Sequence, residues 1–348
     1  MNLYQIPELN ELIQLSARHS ELYKTHTLTT IPHRDQDFPV FALSLGSQDR
    51  EAPTYVLVGG IHGLERIGSR VILAYLESLA QRCRWSLSLQ AQLKEIRIIA
   101  IPIVNPVGMM LGRRSNGHGV DLMRNAPIQS KEALPFFGGQ RIGSFLPFYR
   151  GRKNAPMEAE LLGINTFLQK EVFTSKTVIL VDVHSGFGGV DRVWFPYARS
   201  RQPYPKLAEA SALLQNFELA YPNHPYHIEP QSKSYCTHGD FWDYLFEQFQ
   251  INNAGAPKTL LTLTLEMGSW LWVKKNPLQM LSFLGAFDPI KPHRKKRVLR
   301  RHFSFLDFLR ESVHSYQSWT ALNPESREAT LERARLRWYT EPVQALSP

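Results

Sequence analysis

Four short segments of this chain are almost uninterrupted runs of β-branched and aliphatic residues, at 55–58, 96–104, 178–183 and 259–265. A strand that is apolar on both faces must be covered on both, which is the condition met by a central, largely parallel sheet between layers of helices. The intervening sequence supplies the cover. Residues 67–79 place Ile67, Val71, Ala74, Tyr75 and Leu79 at helical spacing, and 159–168 repeat the pattern. Strand and helix signals in alternation predict an α/β fold with a mostly parallel or mixed sheet.

At 348 residues and 43% hydrophobic content the chain is long enough for one large domain or two small ones. Residues 1–12 have neither the basic start nor the apolar run of a secretory signal, and no run approaches the roughly 20 apolar residues of a membrane span. Two cysteines, Cys83 and Cys236, are too few for a disulfide framework and are expected to be free thiols. These features together lead to the expectation of a cytoplasmic protein. The formal charge of +9 is concentrated, because Arg294, Lys295, Lys296, Arg297, Arg300 and Arg301 supply six positive charges within 293–302. Residues 113–153 are rich in Gly, Arg, Asn and Pro without periodicity, as expected of a loop that lines a cleft. After Pro289 the character changes to this basic run and then to helical patterns at 303–316 and 329–339, the second behind the helix start Asn323-Pro324-Glu325. The expected organisation is therefore a catalytic unit over 1–289 and a basic linker with a helical extension over 290–348.

Residues able to bind a metal fall at strand ends. His62-Gly63-Leu64-Glu65 follows the first apolar strand, and a His and a carboxylate three apart can turn toward one ion. His-x-x-Glu alone occurs by chance in many chains, so a third ligand is required. His184 provides it at the end of the 178–183 strand, on the edge where open α/β sheets keep their ligands. His62, Glu65 and His184 as ligands leave a coordination position open, which suits a catalytic Zn2+ better than a closed structural site. Glu266 ends the fourth apolar run, and a buried carboxylate beside such a metal suits a general base toward water.

Several motifs, in order, resemble the zinc carboxypeptidase family, including its bacterial murein-peptide amidases, and more distantly the aspartoacylase and succinylglutamate desuccinylase branch. They are His62-Gly63-Leu64-Glu65, Asn105-Pro106-Val107-Gly108, Arg114-Ser115-Asn116, Gly119-Val120-Asp121-Leu122-Met123-Arg124-Asn125, His184-Ser185, Tyr235 with Gly239, and Leu265-Glu266, spanning residues 55–270. The resemblance implies a three-layer α/β/α sandwich around a twisted sheet and a zinc metallopeptidase acting on a peptide or an N-acyl amino acid. It implies that Arg114 polarises the scissile carbonyl and that Arg124, with Asn125, grips a terminal carboxylate. Paired guanidinium hydrogen bonds suit both tasks. It further implies that Asp121 stands behind the first zinc histidine, that Tyr235 closes over bound substrate, and that Trp242 lies near the base of the specificity pocket, with Asp240 close by.

One position departs from the family pattern: Met123 stands where an asparagine usually helps hold the carboxylate, and a thioether donates no hydrogen bond. Three readings compete with a carboxypeptidase. An N-acyl amino acid amidohydrolase or a murein-peptide amidase keeps the catalyst and changes the substrate. An inactive metal-binding interaction module keeps the ligands alone. The basic segment 293–302 has the electrostatics of a nucleic-acid or anionic-membrane patch but no interleaved aromatics, so no specific nucleic acid is expected. A thiol mechanism through Cys236 and His238 would need two side chains so close on one loop to face each other.

Overall fold

The computed structural model describes residues 4–340 except Ser282, so the first three residues and the end of the C-terminal extension, 341–348, lie outside the described residues. The chain opens with α1 (Pro7–Arg18), the hairpin β1 (Lys24–His33) and β2 (Gln36–Gly46), then β3 (Thr54–Gly59), α2 (Arg66–Cys83), α3 (Leu87–Glu95), β4 (Arg97–Ile101) and α4 (Pro106–Leu111). After a long loop come α5 (Ala159–Val172), β5 (Thr177–Ser185), β6 (Arg192–Phe195), α6 (Leu207–Ala220), β7 (His227–Pro230), α7 (Gln231–Ser234), α8 (Phe241–Asn252) and β8 (Thr259–Met267). The chain then continues through α9 (Trp270–Lys275), α10 (Pro292–Arg301), α11 (Phe303–His314), α12 (Gln317–Thr320) and α13 (Pro324–Trp338).

The eight strands form one mixed sheet in the order β1-β2-β4-β3-β5-β8-β6-β7, with helices on both sides. Its middle, β4-β3-β5-β8, is parallel, while β2 and β6 run antiparallel to the strands they flank. These four central strands are the four apolar runs, and every residue of each is buried. The helix α2 packs on β3 and β5, α8 on β8, and α11 on β3 and β5.

Strand ends and four elements differ from the expectation. The second apolar run extends to Val104 in the sequence, but β4 stops at Ile101 because Pro102 brings no N–H to the ladder. Strands β1, β2, β6 and β7 are not visible as apolar runs. The hairpin is half exposed and contains Pro32 and Pro39, and β6 and β7 are only four residues each. The basic stretch forms α10, started by Pro292 and anchored by buried Val298. At α13 the Asn323 side chain accepts the Ser326 N–H at 2.8 Å, as its Asn-Pro start requires. Trp338 closes this region on the sheet, its indole N–H donating to the Ile228 carbonyl and its ring 4.8 Å from that of Phe195. Among the described residues no helix is long and apolar enough to cross a membrane.

Candidate active site

Parallel strands end on the same edge, so the loops after β3 and β5 and the last residues of β8 converge. His62 follows β3 and is 2% exposed, and the chain between it and α2 lies against α4. Gly63 permits that approach, since a Cβ there would sit 2.1 Å from the carbonyl carbon of Gly108. Glu65 immediately precedes α2, and its Oε2 accepts the Ser185 N–H at 3.0 Å and lies 3.0 Å from His184 Nδ1. One ligand atom each from His62, Glu65 and His184 lies within 4.8 Å of the others.

The donor set fits a zinc ion. His184 Nε2 is 2.7 Å from Asp182 Oδ2, which also accepts the Trp242 indole N–H at 2.7 Å, so Nε2 carries the proton and Nδ1 faces the cluster. His62 Nδ1 is buried with no hydrogen-bond partner among the described residues, and Asp121 Oδ1, 3.8 Å away, is too far to supply one. Burial, then the nearby Arg114 guanidinium, pushes the His62 pKa down to about 3, which keeps that imidazole neutral and able to donate a lone pair. Burial disfavours charge on Glu65, but His62, His184 and Arg114 outweigh it and hold the carboxyl below its usual range. Burial likewise opposes charge on His184, and there the Asp182 and Glu65 carboxylates prevail and raise its pKa.

Glu266 is the direct neighbour of His184 in the β5–β8 register. It is 5% exposed and accepts the Phe187 N–H at 2.9 Å. Burial, then the Glu65 carboxylate, pushes its pKa up to about 8. A cation held at the neighbouring ligands would reverse the local field and favour its ionised form.

The facing wall is built by the 113–153 loop. Buried Asp121 accepts Arg114 Nε and Arg124 Nη1, both at 2.9 Å, through its Oδ2 atom. Burial raises the Asp121 pKa and the two guanidiniums lower it further than burial raises it. Arg124 also donates through Nε to the Phe137 carbonyl at 3.0 Å, and Arg114 Nη1 stands 3.5 Å from Glu65 Oε1. The Phe148 ring lies over both guanidiniums, with centroid distances of 5.5 Å to Arg114 and 4.9 Å to Arg124. Gly239, at φ +66°, lets the segment after Tyr235 touch this loop, since a Cβ there would meet the Arg124 carbonyl oxygen at 2.0 Å.

The two walls enclose a cleft of about 540 Å³ that reaches all three ligands, Glu266, Arg114, Arg124, Tyr235, Met123 and Asp240. Tyr235 packs against Phe137, Phe187 and Trp194, and burial pushes its phenol up to about 12. Asp240 caps α8 by accepting the Trp242 and Asp243 amides, and burial pushes its carboxyl up to about 6. Trp242 and Asn125 do not line the cleft. Trp242 stands behind His184 through Asp182, and Asn125 joins Arg150 and Glu158 by bonds to their backbone. Asp121 holds the two arginines and makes no hydrogen bond to His62.

Asp182, Phe148 and the Phe187 amide are parts of the site that pattern reading missed. Asp182 had a signal, since residues two apart on a strand share a face. Phe148, in a loop at φ +64°, had none. The Cys236 thiol donates to the Ser232 carbonyl and His238 Nδ1 accepts the Ser130 amide, so the two do not pair with each other.

A model of the zinc carboxypeptidase family matches residues 9–270. The structure is similar to that of bovine thrombin-activatable fibrinolysis inhibitor in complex with tick carboxypeptidase inhibitor, with a TM-score of 0.64 and 18% identity over 90% of this chain and 98% of that one. It is also similar to carboxypeptidase A from Helicoverpa armigera, with a TM-score of 0.60 and 17% identity over 89% and 71% of the two chains. At these identities the likeness is one of fold. Carboxypeptidase SOL1 of Arabidopsis thaliana is 24% identical over 109 residues, which are 30% of this chain and span 22% of the length of that curated relative.

Proposed function

Because the chain belongs to the zinc carboxypeptidase family, and is thereby a zinc metallopeptidase, we propose that it hydrolyses an amide bond next to a free carboxylate with Glu266 as general base. The observation that carries this reading is the pairing of His184 with Glu266 on adjacent parallel strands, beside the buried His62 and Glu65 ligand atoms. A zinc ion held by these three residues supplies Lewis acidity and a nucleophile at neutral pH. Glu266 accepts the proton of the attacking water and returns it to the leaving amine. Arg114 faces the oxyanion as charge develops, and Arg124, beside it on Asp121, binds the substrate carboxylate. Tyr235, Phe148 and Phe187 screen the reacting atoms from bulk water.

Met123 favours a second substrate class for the same catalyst. Its thioether lines the cleft beside Arg124 and adds no hydrogen bond to a carboxylate. An N-acyl amino acid or a murein peptide is the competing substrate, and Asp240 lines the cleft that would receive it. Two free thiols fit a reducing, cytoplasmic compartment.

The test is zinc content together with hydrolysis of a panel: peptides with free or blocked C-termini ending in aromatic or basic residues, N-acyl amino acids, and murein peptides. About one zinc per chain, with cleavage lost in Glu266→Gln, is the expected result. A protein that binds no metal, or hydrolyses the panel equally well as Glu266→Gln, leaves the reading without support.

A further inference from the structure

Residues 267–306 contain nine Lys or Arg and a single carboxylate, Asp288, so this stretch carries a net +8 of the chain's +9. The structure gathers that charge beside exposed apolar groups. The Arg294 guanidinium donates to the carbonyls of Trp272 and Lys275, which ties α10 to α9, just ahead of the turn at 276–281. That turn presents Leu278 at 73% and Leu281 at 86% exposure, and Ile290 and Trp270 are about half exposed on either side of it in sequence. Lys295 and Arg301 are matched by Asp288 and Asp191. The side chains of Lys274, Lys275, Lys291, Lys296, Arg297 and Arg300 are exposed and form no ion pair with a described residue. Trp270 connects the region to the cleft, its indole N–H donating at 3.1 Å to the carbonyl of Gly186, which lines the site.

We propose that this face, Leu278 and Leu281 with the cations of α9 and α10, docks on an anionic lipid bilayer. Charge complementarity selects a negative partner, and the apolar side chains select the kind. Large aliphatic groups held out in water gain nothing from a phosphate backbone, whereas at a bilayer they enter the acyl boundary while the lysines and arginines remain among the headgroups. A tryptophan at the edge of the patch suits the same depth. The contact is peripheral, with the fold resting on the surface.

Co-sedimentation of the full chain with phosphatidylcholine vesicles, with and without phosphatidylglycerol, tests this. Binding is expected only with phosphatidylglycerol, weakening as salt screens the headgroups. Lys296→Glu/Arg297→Glu/Arg300→Glu is expected to weaken it by at least about tenfold, and Leu278→Ser/Leu281→Ser by a comparable factor. All five positions are exposed and outside the catalytic machinery, and circular dichroism with the hydrolysis assay verifies that the variants are folded. Absence of binding to phosphatidylglycerol vesicles overturns the proposal. So does binding that the leucine pair leaves unchanged, or capture by duplex DNA or RNA in preference to vesicles, since either result assigns the face to a polyanion.

Discussion

The two walls of the cleft achieve the same precision by different means. On the sheet wall, His184 and Glu266 are placed by the hydrogen-bond register of adjacent buried strands, and each has further fixed partners, the Asp182 and Glu65 carboxylates for the histidine and the Phe187 amide for the glutamate. On the loop wall no strand holds Arg114 and Arg124. Their geometry comes from one buried carboxylate, Asp121, shared between them, and from one ring, Phe148, laid over both. A backbone ladder tolerates the loss of a side chain because its neighbours keep their places. A wall organised around a single carboxylate does not, since removing it leaves the buried Arg124 without its counter-charge and Arg114 with Glu65 alone. The difference teaches that the proposed general base sits on rigid elements, and the proposed carboxylate grip on a cluster that one substitution can disperse.

The sharpest break falls on the sheet wall. Glu266→Gln keeps the shape and removes the proton acceptor, so kcat should drop by about three orders of magnitude with zinc content and melting temperature unchanged; a variant that kept its rate would move the chemistry elsewhere. Next is Asp121→Asn, expected to destabilise the fold by about 3 kcal/mol and to lower kcat/KM by roughly a hundredfold, with zinc retained because His62 does not depend on that carboxylate for a hydrogen bond. Denaturant melts and metal analysis on one sample read both, and loss of zinc would merge the two walls into one unit. Phe148→Ala should raise KM about fivefold and leave kcat nearly unchanged, as expected for a ring that orients guanidiniums already paired elsewhere. The smallest effect is expected from Met123→Asn, which adds a donor beside Arg124 and should lower KM for substrates with a free carboxylate about threefold. If KM for C-terminally blocked peptides fell equally, Met123 would not be the feature that sets carboxylate recognition.

Legibility in the sequence follows the same division. The apolar runs around β3, β4, β5 and β8 reveal the central strands because burial on both faces writes itself into every residue. His62, Glu65, His184 and Glu266 could be read as a set because each lies at or just beyond the end of such a run. The edge hairpin of β1 and β2 left a weaker trace, since half of its side chains face solvent and two prolines interrupt the pattern. Trp242 shows what motif position does not describe: its place in the chain suggested the pocket floor, and the start of α8 turns its indole behind His184 to the buried Asp182 while Asp240 lines the cleft.

By itself, then, the order of residues determined the parallel core, the edge on which its strands end, the metal-binding set and the basic stretch after Pro289, because local periodicity and burial depend on neighbours in the chain. Tertiary structure alone decided which imidazole nitrogen of His184 faces the metal cluster, that Asp121 serves two arginines, that Phe148 covers them, and that α10 is tied to α9 through Arg294. Those are contacts between residues far apart in sequence or held in irregular loops, where no repeating pattern encodes the meeting and only packing and hydrogen-bond satisfaction select it.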